Sequence, residues 1–134
     1  MNELQQLRES FSHDRFAAEA GIRIDDAAPG YALCSMPIEE RHCNARGTVM
    51  GGAIFTLADF ASAVAANYGA TDKNIITLHG DITYLAPAKG STLIAEAHCV
   101  KHGRTTTLYT VELRDELGTQ VAHAGMNGFA VPAK

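Results

Sequence analysis

The longest apolar stretch of the chain runs from Gly51 to Asn67. It contains no proline and is rich in helix formers such as Ala and Leu, so we predict a helix over residues 52–66 within a central segment spanning 51–67. Its apolar residues leave no clear polar side, and a helix of that kind is buried in a protein core or in a bilayer. Because the stretch is shorter than the ~20 residues needed to span a bilayer, we predict a core helix.

Alternating apolar and polar positions predict strands on both sides of this helix. The strand candidates cover residues 22–26, 31–37, 75–85, 92–100, 105–114 and 119–131. Connections of two to six residues join successive strands after the helix, and connections this short indicate an antiparallel meander. In the first of these later strands, one face is expected to carry Ile76, Leu78, Ile82 and Tyr84.

The N-terminal segment, residues 1–21, has a polar helical pattern. We predict one amphipathic helix or two short ones over residues 3–20, with Asn2 as the first cap, Asp14 as a second start and Gly21 as the stop. The side chains expected to face inward are Leu4, Leu7, Phe11 and Phe16.

These elements predict a single α+β domain over residues 1–134, in which a curved antiparallel sheet wraps around one long central helix. One sheet cannot cover both sides of a helix that has so little polar surface. We therefore expect a homodimer at least, with the sheets of the two subunits continuous.

Composition and charge limit the possible partners. Of the 134 residues, 46% are hydrophobic and 19% are charged, as in soluble globular domains, and the net charge of -4 provides no basic footprint for nucleic acid. Cys34, Cys43 and Cys99 form no CxxC motif and are expected to be reduced thiols. No signal peptide is expected, because the first residues lack an apolar run. We therefore expect a cytoplasmic protein that binds neither nucleic acid nor membrane.

Asp59 is the one side chain between Arg46 and Asp72 that is charged at neutral pH, and it falls in the middle of the predicted helix. A carboxylate removed from water is unfavourable unless partners compensate it or it takes up a proton. Thr56 and Ser62 would form a narrow polar seam with it. Such carboxylates cluster at functional sites, but a structural aspartate bonded to its neighbours or to a subunit interface also fits the pattern.

A block of polar and glycine residues surrounds the start of this helix, and it comprises His42, Asn44, Gly47, Gly51, Gly52, Leu57 and Asp59. Their spacing resembles the pattern H-x-N-x-x-G-x-x-H-G-G, followed by L-x-D, of hotdog-fold acyl-CoA thioesterases of the phenylacetate-pathway (PaaI-like) type. Residues 82–88 with Gly90, and Gly103-Arg104, extend the resemblance. Met50 departs from it, because the family has a histidine there that lines the acyl pocket. This leaves pocket polarity and acyl choice open.

The resemblance implies a hotdog fold and an enzyme that hydrolyses an aromatic or medium-chain acyl-CoA to the free acid and CoA. Coenzyme A would enter as part of the substrate, with no other cofactor. The Gly51 backbone N–H, at the positive end of the helix, would stabilise the oxyanion. Asn44 would orient the thioester or water, Asp59 would act as general base or nucleophile, and Thr77 would hold the attacking water.

The helix geometry separates two of these groups. Gly51 and Asp59 are eight residues apart, so about 12 Å lies between them along a helix. A carbonyl held beyond the helix start is out of reach of Asp59 in the same chain. We therefore expect a site that combines two subunits, with two equal sites per dimer. A dimer of dimers is a separate expectation, which the helix geometry does not provide.

The residues expected to bind the substrate or its CoA part are His42, Gly47, Met50, Gly52, Lys89, Gly103 and Arg104. Lys89 and Arg104 would meet phosphates, although a solvated strand end is the alternative. His42 is expected to fix the loop of Asn44 rather than to act as a base. No metal site is predicted, because His79 and Asp81 lack further ligands at a suitable spacing.

Two other functions compare less well with the sequence. A hotdog hydratase would carry Asp-x4-His, and no aspartate of this chain has a histidine five residues on. A non-catalytic acyl-CoA binding or sensing protein is the alternative from another class. Such proteins couple the pocket to a DNA-binding segment, and the chain contains no basic helix.

Overall fold

The computed structural model describes residues 2–134. Its helices are α1 (Glu3–Phe11), α2 (Arg15–Glu19) and α3 (Gly51–Ala66), with a short 3₁₀ turn at Glu40–His42. Its strands are β1 (Arg23–Ala28), β2 (Tyr31–Pro37), β3 (Lys73–Tyr84), β4 (Thr92–His102), β5 (Thr106–Asp115) and β6 (Gln120–Pro132). The predicted central helix and all six predicted strands are confirmed, and the strand ends differ from the prediction by at most two residues.

The N-terminal segment forms two short helices. The Asn2 side chain accepts a hydrogen bond from the Gln5 N–H at 2.8 Å, and the Gln5 side chain accepts one from the Asn2 N–H at 3.1 Å, so a capping box starts α1. Gly21 follows α2 with φ at 87°, a conformation that favours glycine. Leu7 is buried, and Leu4 and Phe11 pack against the core. The expectation that Phe16 faces inward is wrong, because this side chain is 77% exposed.

All six strands form one antiparallel sheet in the order β1-β2-β4-β5-β6-β3. The predicted meander is confirmed for β4, β5 and β6 but is wrong for β3, which pairs with β6 at the far edge. Residues 85–91 therefore cross the ends of β6 and β5 before β4 begins. A short connection limits how far apart two strand ends lie, but it does not require the strands to be neighbours.

Two carboxylates of the β5–β6 turn hold this crossing segment. Asp115 is 1% exposed, and its carboxylate accepts backbone N–H bonds from Lys89 at 2.8 Å and Gly90 at 3.0 Å. It also accepts the N–H groups of Leu117 and Thr119 within its own turn. Glu116 accepts the backbone N–H groups of Ser91 and Thr92. The turn therefore satisfies backbone donors that the sheet leaves unpaired.

Asp115→Asn is expected to lower the melting temperature by at least about 5 °C, because the amide cannot accept all of these bonds and turns an N–H₂ towards backbone donors. Burial alone would raise the pKa of Asp115, but the hydrogen bonds from Lys89, Thr119 and Gly90 together hold it well below its ordinary value. A lowered folded-state pKa stabilises the fold above about pH 4, and this contribution is lost as the pH falls below that value. Thermal melts of the wild type and the variant at several pH values test both the lower melting temperature and its dependence on pH.

Asp14→Asn is the matched control, because the Asp14 side chain makes no capping hydrogen bond. The control should melt like the wild type, and Asp115→Asn should lose less stability on acidification than the wild type does. Equal melting temperatures for the two variants would contradict a stabilising role of Asp115.

A bulge in β3 changes which side chains face the helix. The β3–β6 register shifts between Thr77 and His79. The predicted common face of Ile76, Leu78, Ile82 and Tyr84 is therefore wrong. Ile76 and Leu78 are 45% and 64% exposed on the outer side, whereas Ile82 pairs with the buried Ala124. The extra residue of the bulge lets Thr77 also face inward, opposite the buried Gly128.

The central helix α3 lies across the concave side of the sheet. Its sheet side is buried and carries Ile54, Leu57, Ala58, Ala61, Val64 and Ala65. The other side is only partly covered and carries Gly52, Phe55, Thr56, Asp59, Ala63 and Ala66. The second set follows helical spacing, so it forms one open stripe along α3. This stripe contains the carboxylate that the sequence singled out.

Candidate active site

Asp59 and Thr77 are brought into direct contact by the fold. Asp59 lies in the third turn of α3 and Thr77 lies on β3, and the Thr77 hydroxyl donates to Asp59 Oδ1 at 2.9 Å. The bulge is what directs Thr77 towards the helix. Both residues were predicted as catalytic from the family pattern, and no local pattern in the sequence indicated their contact.

Thr56 and Ser62, which were expected to form a polar seam with Asp59, have a different role. The Thr56 hydroxyl donates to the Gly52 carbonyl at 2.8 Å, and the Ser62 hydroxyl donates to the Asp59 carbonyl at 2.9 Å. Both hydroxyls thus bond to the helix backbone rather than to the carboxylate. Within residues 2–134, Thr77 is the one group that hydrogen-bonds the Asp59 carboxylate, so Oδ2 is left free. A purely structural aspartate would have more of its oxygen lone pairs occupied.

Asp59 borders an open cleft of about 540 Å³, which we call the carboxylate cleft. Its lining includes Phe16, Phe55, Thr56, Phe60 and Ala63. A second cleft of about 570 Å³, the helix-start cleft, is lined by Phe16, Met36, Met50, Gly52, Ala53 and Thr56, among others. Met50 and Gly52 thus line a cavity, as expected of residues near an acyl group, and Met50 is exposed.

The start of α3 offers free backbone donors. In the described part of the chain, no protein group accepts a hydrogen bond from the Gly51 N–H. The Tyr84 hydroxyl donates to the Gly51 carbonyl at 2.8 Å, which ties the helix start to the end of β3. A Cβ at Gly51 would lie 3.0 Å from the Tyr84 ring, so a larger residue here would push the ring and its hydroxyl away from the helix start. The Tyr84 bond was not predicted, since only the tertiary structure brings the two segments together.

Asn44 organises the loop that leads into α3. Its Oδ1 accepts the backbone N–H groups of Arg46 at 2.9 Å and Thr48 at 3.2 Å. Gly47 has φ at 82° and its N–H donates to the Asn44 carbonyl, so it serves the turn. The acceptor oxygen of Asn44 is therefore occupied, and the amide N–H₂ is the group that remains for a ligand.

His42 connects this loop to α2. Its Nδ1 accepts the Glu39 N–H at 3.0 Å, which puts the ring proton on Nε2, and Nε2 lies 2.7 Å from the Ala20 carbonyl oxygen. The side chain is buried, and the protein occupies both ring nitrogens. Both nitrogens thus hold the loop, as expected of His42. The residue also lines the helix-start cleft, and its predicted role in substrate binding stays a prediction.

The residues predicted to meet the CoA phosphates, Lys89 and Arg104, lie at opposite ends of the sheet. The backbone of Lys89 bonds to Asp115, which pairs with Leu93 at the start of β4. Gly103 and Arg104 follow the other end of β4, where they line a cavity of about 280 Å³ with Lys73, His102 and Asp72. One chain therefore cannot bring Lys89 and Arg104 together. Lys73 and His102 were not predicted as site residues, because a basic side chain at a strand end does not by itself indicate a binding site.

No group of three or more His, Cys, Asp or Glu side chains able to hold a metal ion occurs among residues 2–134. The same residues include no helix that is both long and apolar enough to cross a membrane.

A curved antiparallel sheet around one central helix, with a carboxylate in the helix and free N–H groups at its start, defines a chain of the hotdog thioesterase class. The Thioesterase superfamily model matches residues 46–122. This chain belongs to that family, and the predicted hotdog fold and thioester hydrolase class are confirmed.

Individual relatives agree with this assignment. Human acyl-coenzyme A thioesterase 13 is 36% identical over 96 residues, covering 71% of this chain and 69% of its own. The acyl-coenzyme A thioesterase PaaI of Escherichia coli is 29% identical over 119 residues, which cover 88% of this chain and 84% of its own. A solved structure of the E. coli PaaI protein superimposes with a TM-score of 0.82 at 25% identity over 96% of each chain. The crystal structure of a thioesterase family protein from Silicibacter pomeroyi superimposes with a TM-score of 0.89 at 26% identity, over 98% of this chain and 100% of its own.

Proposed function

We propose that this protein is an acyl-CoA thioesterase that hydrolyses R–CO–S–CoA with water to the carboxylic acid and CoA. Asp59 supplies the base or nucleophile, and two subunits share each site. The observation that carries the proposal is the Asp59 carboxylate, hydrogen-bonded by Thr77 and otherwise open to a cleft. Relatives named as acyl-CoA thioesterases support the substrate class.

The contacts of Asp59 and Thr77 suit the activation of water. The Thr77 hydroxyl uses its proton on Asp59, so its lone pairs remain to accept a hydrogen bond from a water molecule. The free Oδ2 of Asp59 can take a proton from the same water as it attacks the thioester carbon. In the alternative route, Asp59 attacks directly and water hydrolyses the resulting anhydride.

The start of α3 suits the oxyanion. The Gly51 N–H lies at the positive end of the helix dipole, where a developing negative charge is stabilised. The free amide of Asn44 is a second candidate donor on the loop that enters the same helix. The collapsing tetrahedral intermediate then expels the CoA thiolate, which takes up a proton and leaves as the thiol.

The free edge of β3 supports the shared site. This strand of 12 residues pairs with β6 on one side and has no strand on its other side in the described chain. Antiparallel pairing of two copies about an axis near Gly80 would set Thr77 of one copy opposite Tyr84 of the partner subunit. Since Tyr84 bonds to Gly51 and Thr77 bonds to Asp59, each carboxylate would approach the helix start of the other chain.

The same pairing would bring the Arg104 end of one subunit near the Lys89 end of the other, which supports a shared site for the CoA phosphates. Arg104→Ala is expected to raise KM for CoA thioesters about tenfold and to lower kcat much less, because a charged hydrogen bond to bound substrate is lost. Arg23→Ala, which removes an exposed arginine on β1 at the opposite edge, is the control. Steady-state kinetics in which kcat falls by a larger factor than KM rises would contradict a binding role.

The proposed function is tested by thiol release. The protein is incubated with phenylacetyl-CoA, hydroxybenzoyl-CoA and straight-chain acyl-CoAs, and free CoA is followed with a chromogenic disulfide. We expect turnover of at least one class. Binding of the same thioesters, measured by calorimetry, without release of CoA would instead identify the protein as an acyl-CoA sensor. The dimer of dimers and the cytoplasmic location remain predictions.

A further inference from the structure

Phe16 has the largest exposed fraction, 77%, of the large apolar side chains within residues 2–134. A single exposed apolar side chain is ordinary in soluble proteins, so exposure alone carries no inference. Its position is the informative feature, because Phe16 lines both the carboxylate cleft and the helix-start cleft. Thr56 of α3 is the other residue that lines both clefts. The Phe16 ring and Thr56 therefore stand at the boundary between the two clefts.

The clefts lie along the same open stripe of α3. The carboxylate cleft contains Asp59, and the helix-start cleft contains Gly52 one residue after the proposed oxyanion donor. Apolar side chains line each of them, among them Phe55 in the first and Met36 and Met50 in the second. Cavities of this size with a few polar groups are typical of small-molecule sites. The ring thus separates two neighbouring clefts whose linings combine apolar and polar side chains.

Several contacts fix the backbone of α2, which carries this ring. Ala17 is buried in the core next to Phe16, and the Glu19 and Ala20 carbonyls at the end of α2 accept hydrogen bonds from Arg41 and from the His42 ring. Arg41 and His42 belong to the turn that precedes Asn44. The helix that carries the ring is therefore held by the same loop that carries a proposed catalytic group, so the ring is attached to a fixed backbone.

We propose that Phe16 determines which acyl groups the enzyme accepts, by closing the carboxylate cleft at its boundary with the helix-start cleft. The inference rests on the proposed thioesterase function. An acyl group whose carbonyl lies near Asp59 extends along Phe55 and Phe60 of the carboxylate cleft until it meets the ring. Aryl groups and short or medium chains fit on one side of the ring, and a longer chain has to pass it. Substituting a small side chain joins the clefts and admits the longer chain.

The test is the ratio of kcat/KM for dodecanoyl-CoA to kcat/KM for hexanoyl-CoA, measured below the micellar concentration. Phe16→Ala is expected to raise this ratio at least about tenfold, mainly through a lower KM for the longer substrate, since space for a few methylene groups discriminates by that much or more. Phe16→Trp should lower the ratio, and Phe16→Leu should give an intermediate value. Leu117→Ala, which removes a 68% exposed apolar side chain from the β5–β6 turn, should leave the ratio unchanged.

Two results would overturn the inference. One is an active, folded Phe16→Ala variant whose ratio equals that of the wild type. The other is a change of oligomeric state in Phe16→Ala by light scattering, which would make the ring a subunit contact. A wild-type protein that releases CoA from no thioester would overturn the proposed function itself, and the inference with it. The two failures are thus distinguishable from the wild-type assay alone.

Discussion

Asp59→Asn is expected to lower kcat at least about 100-fold while the protein stays folded. The amide keeps the shape of the side chain and can still accept the Thr77 hydroxyl, but it can neither take a proton from water nor attack the thioester. A loss of this size corresponds to about 2.7 kcal/mol in activation free energy. Thiol release under saturating substrate measures it, and circular dichroism checks the fold.

Asp25→Asn is the matched control, because Asp25 is an exposed aspartate on β1, at the sheet edge opposite β3, with Arg23 as its ion-pair partner. This variant should turn over substrate like the wild type. Thr77→Val adds a second readout, since it removes the one hydrogen bond to the carboxylate in the described chain and keeps the carboxylate itself. We expect the kcat of Thr77→Val to lie between that of Asp59→Asn and that of the wild type. Full turnover by Asp59→Asn would remove Asp59 from the mechanism.

A mixed dimer of Asp59→Asn and Asn44→Asp subunits is expected to recover about half of the wild-type activity per dimer, although each variant alone is nearly inactive. If each site combines Asp59 of one subunit with the helix start and Asn44 of the other, two-fold symmetry leaves one of the two sites intact. Asn44→Asp is chosen because a carboxylate still accepts the Arg46 and Thr48 N–H groups, so the loop is kept and only the free amide donor is lost.

The mixed dimer is obtained by coexpression of the two subunits with different affinity tags and purification over both resins. If each site lay within one subunit, every site of the mixed dimer would carry one substitution, and activity would stay at the level of the single variants. That result in doubly purified dimers would refute the shared site. A monomer by light scattering would refute it more directly.

Much of the fold could be predicted from local pattern. The capping box of Asn2 and Gln5, the proline-free run after Gly51 and the alternation in the strands each act over a few residues, so they are visible in the sequence. The apolar character of α3 on every side also indicated correctly that the sheet of one chain leaves part of it uncovered.

The candidate site was predictable in its residue types but not in its contacts. Family spacing singled out Asp59, Thr77 and Gly51, yet the Thr77–Asp59 and Tyr84–Gly51 hydrogen bonds join residues 18 and 33 positions apart. No local pattern encodes such pairs. Phe16 was expected in the core because an aromatic residue at helical spacing usually packs inward. In α2 the adjacent Ala17 is the buried residue, and neighbouring residues of a helix do not share a face, so the ring is exposed.

What the sequence by itself determined is therefore the set of elements, the lone carboxylate of the helix and the glycine start that precedes it. The tertiary structure alone decided that β3 lies beside β6 rather than β4, that a bulge turns Thr77 towards Asp59, and that Phe16 stands between two clefts. The physical reason is range. Periodicity and capping depend on neighbours within a turn or a strand, whereas strand order, bulge position and cleft shape depend on how distant surfaces pack together.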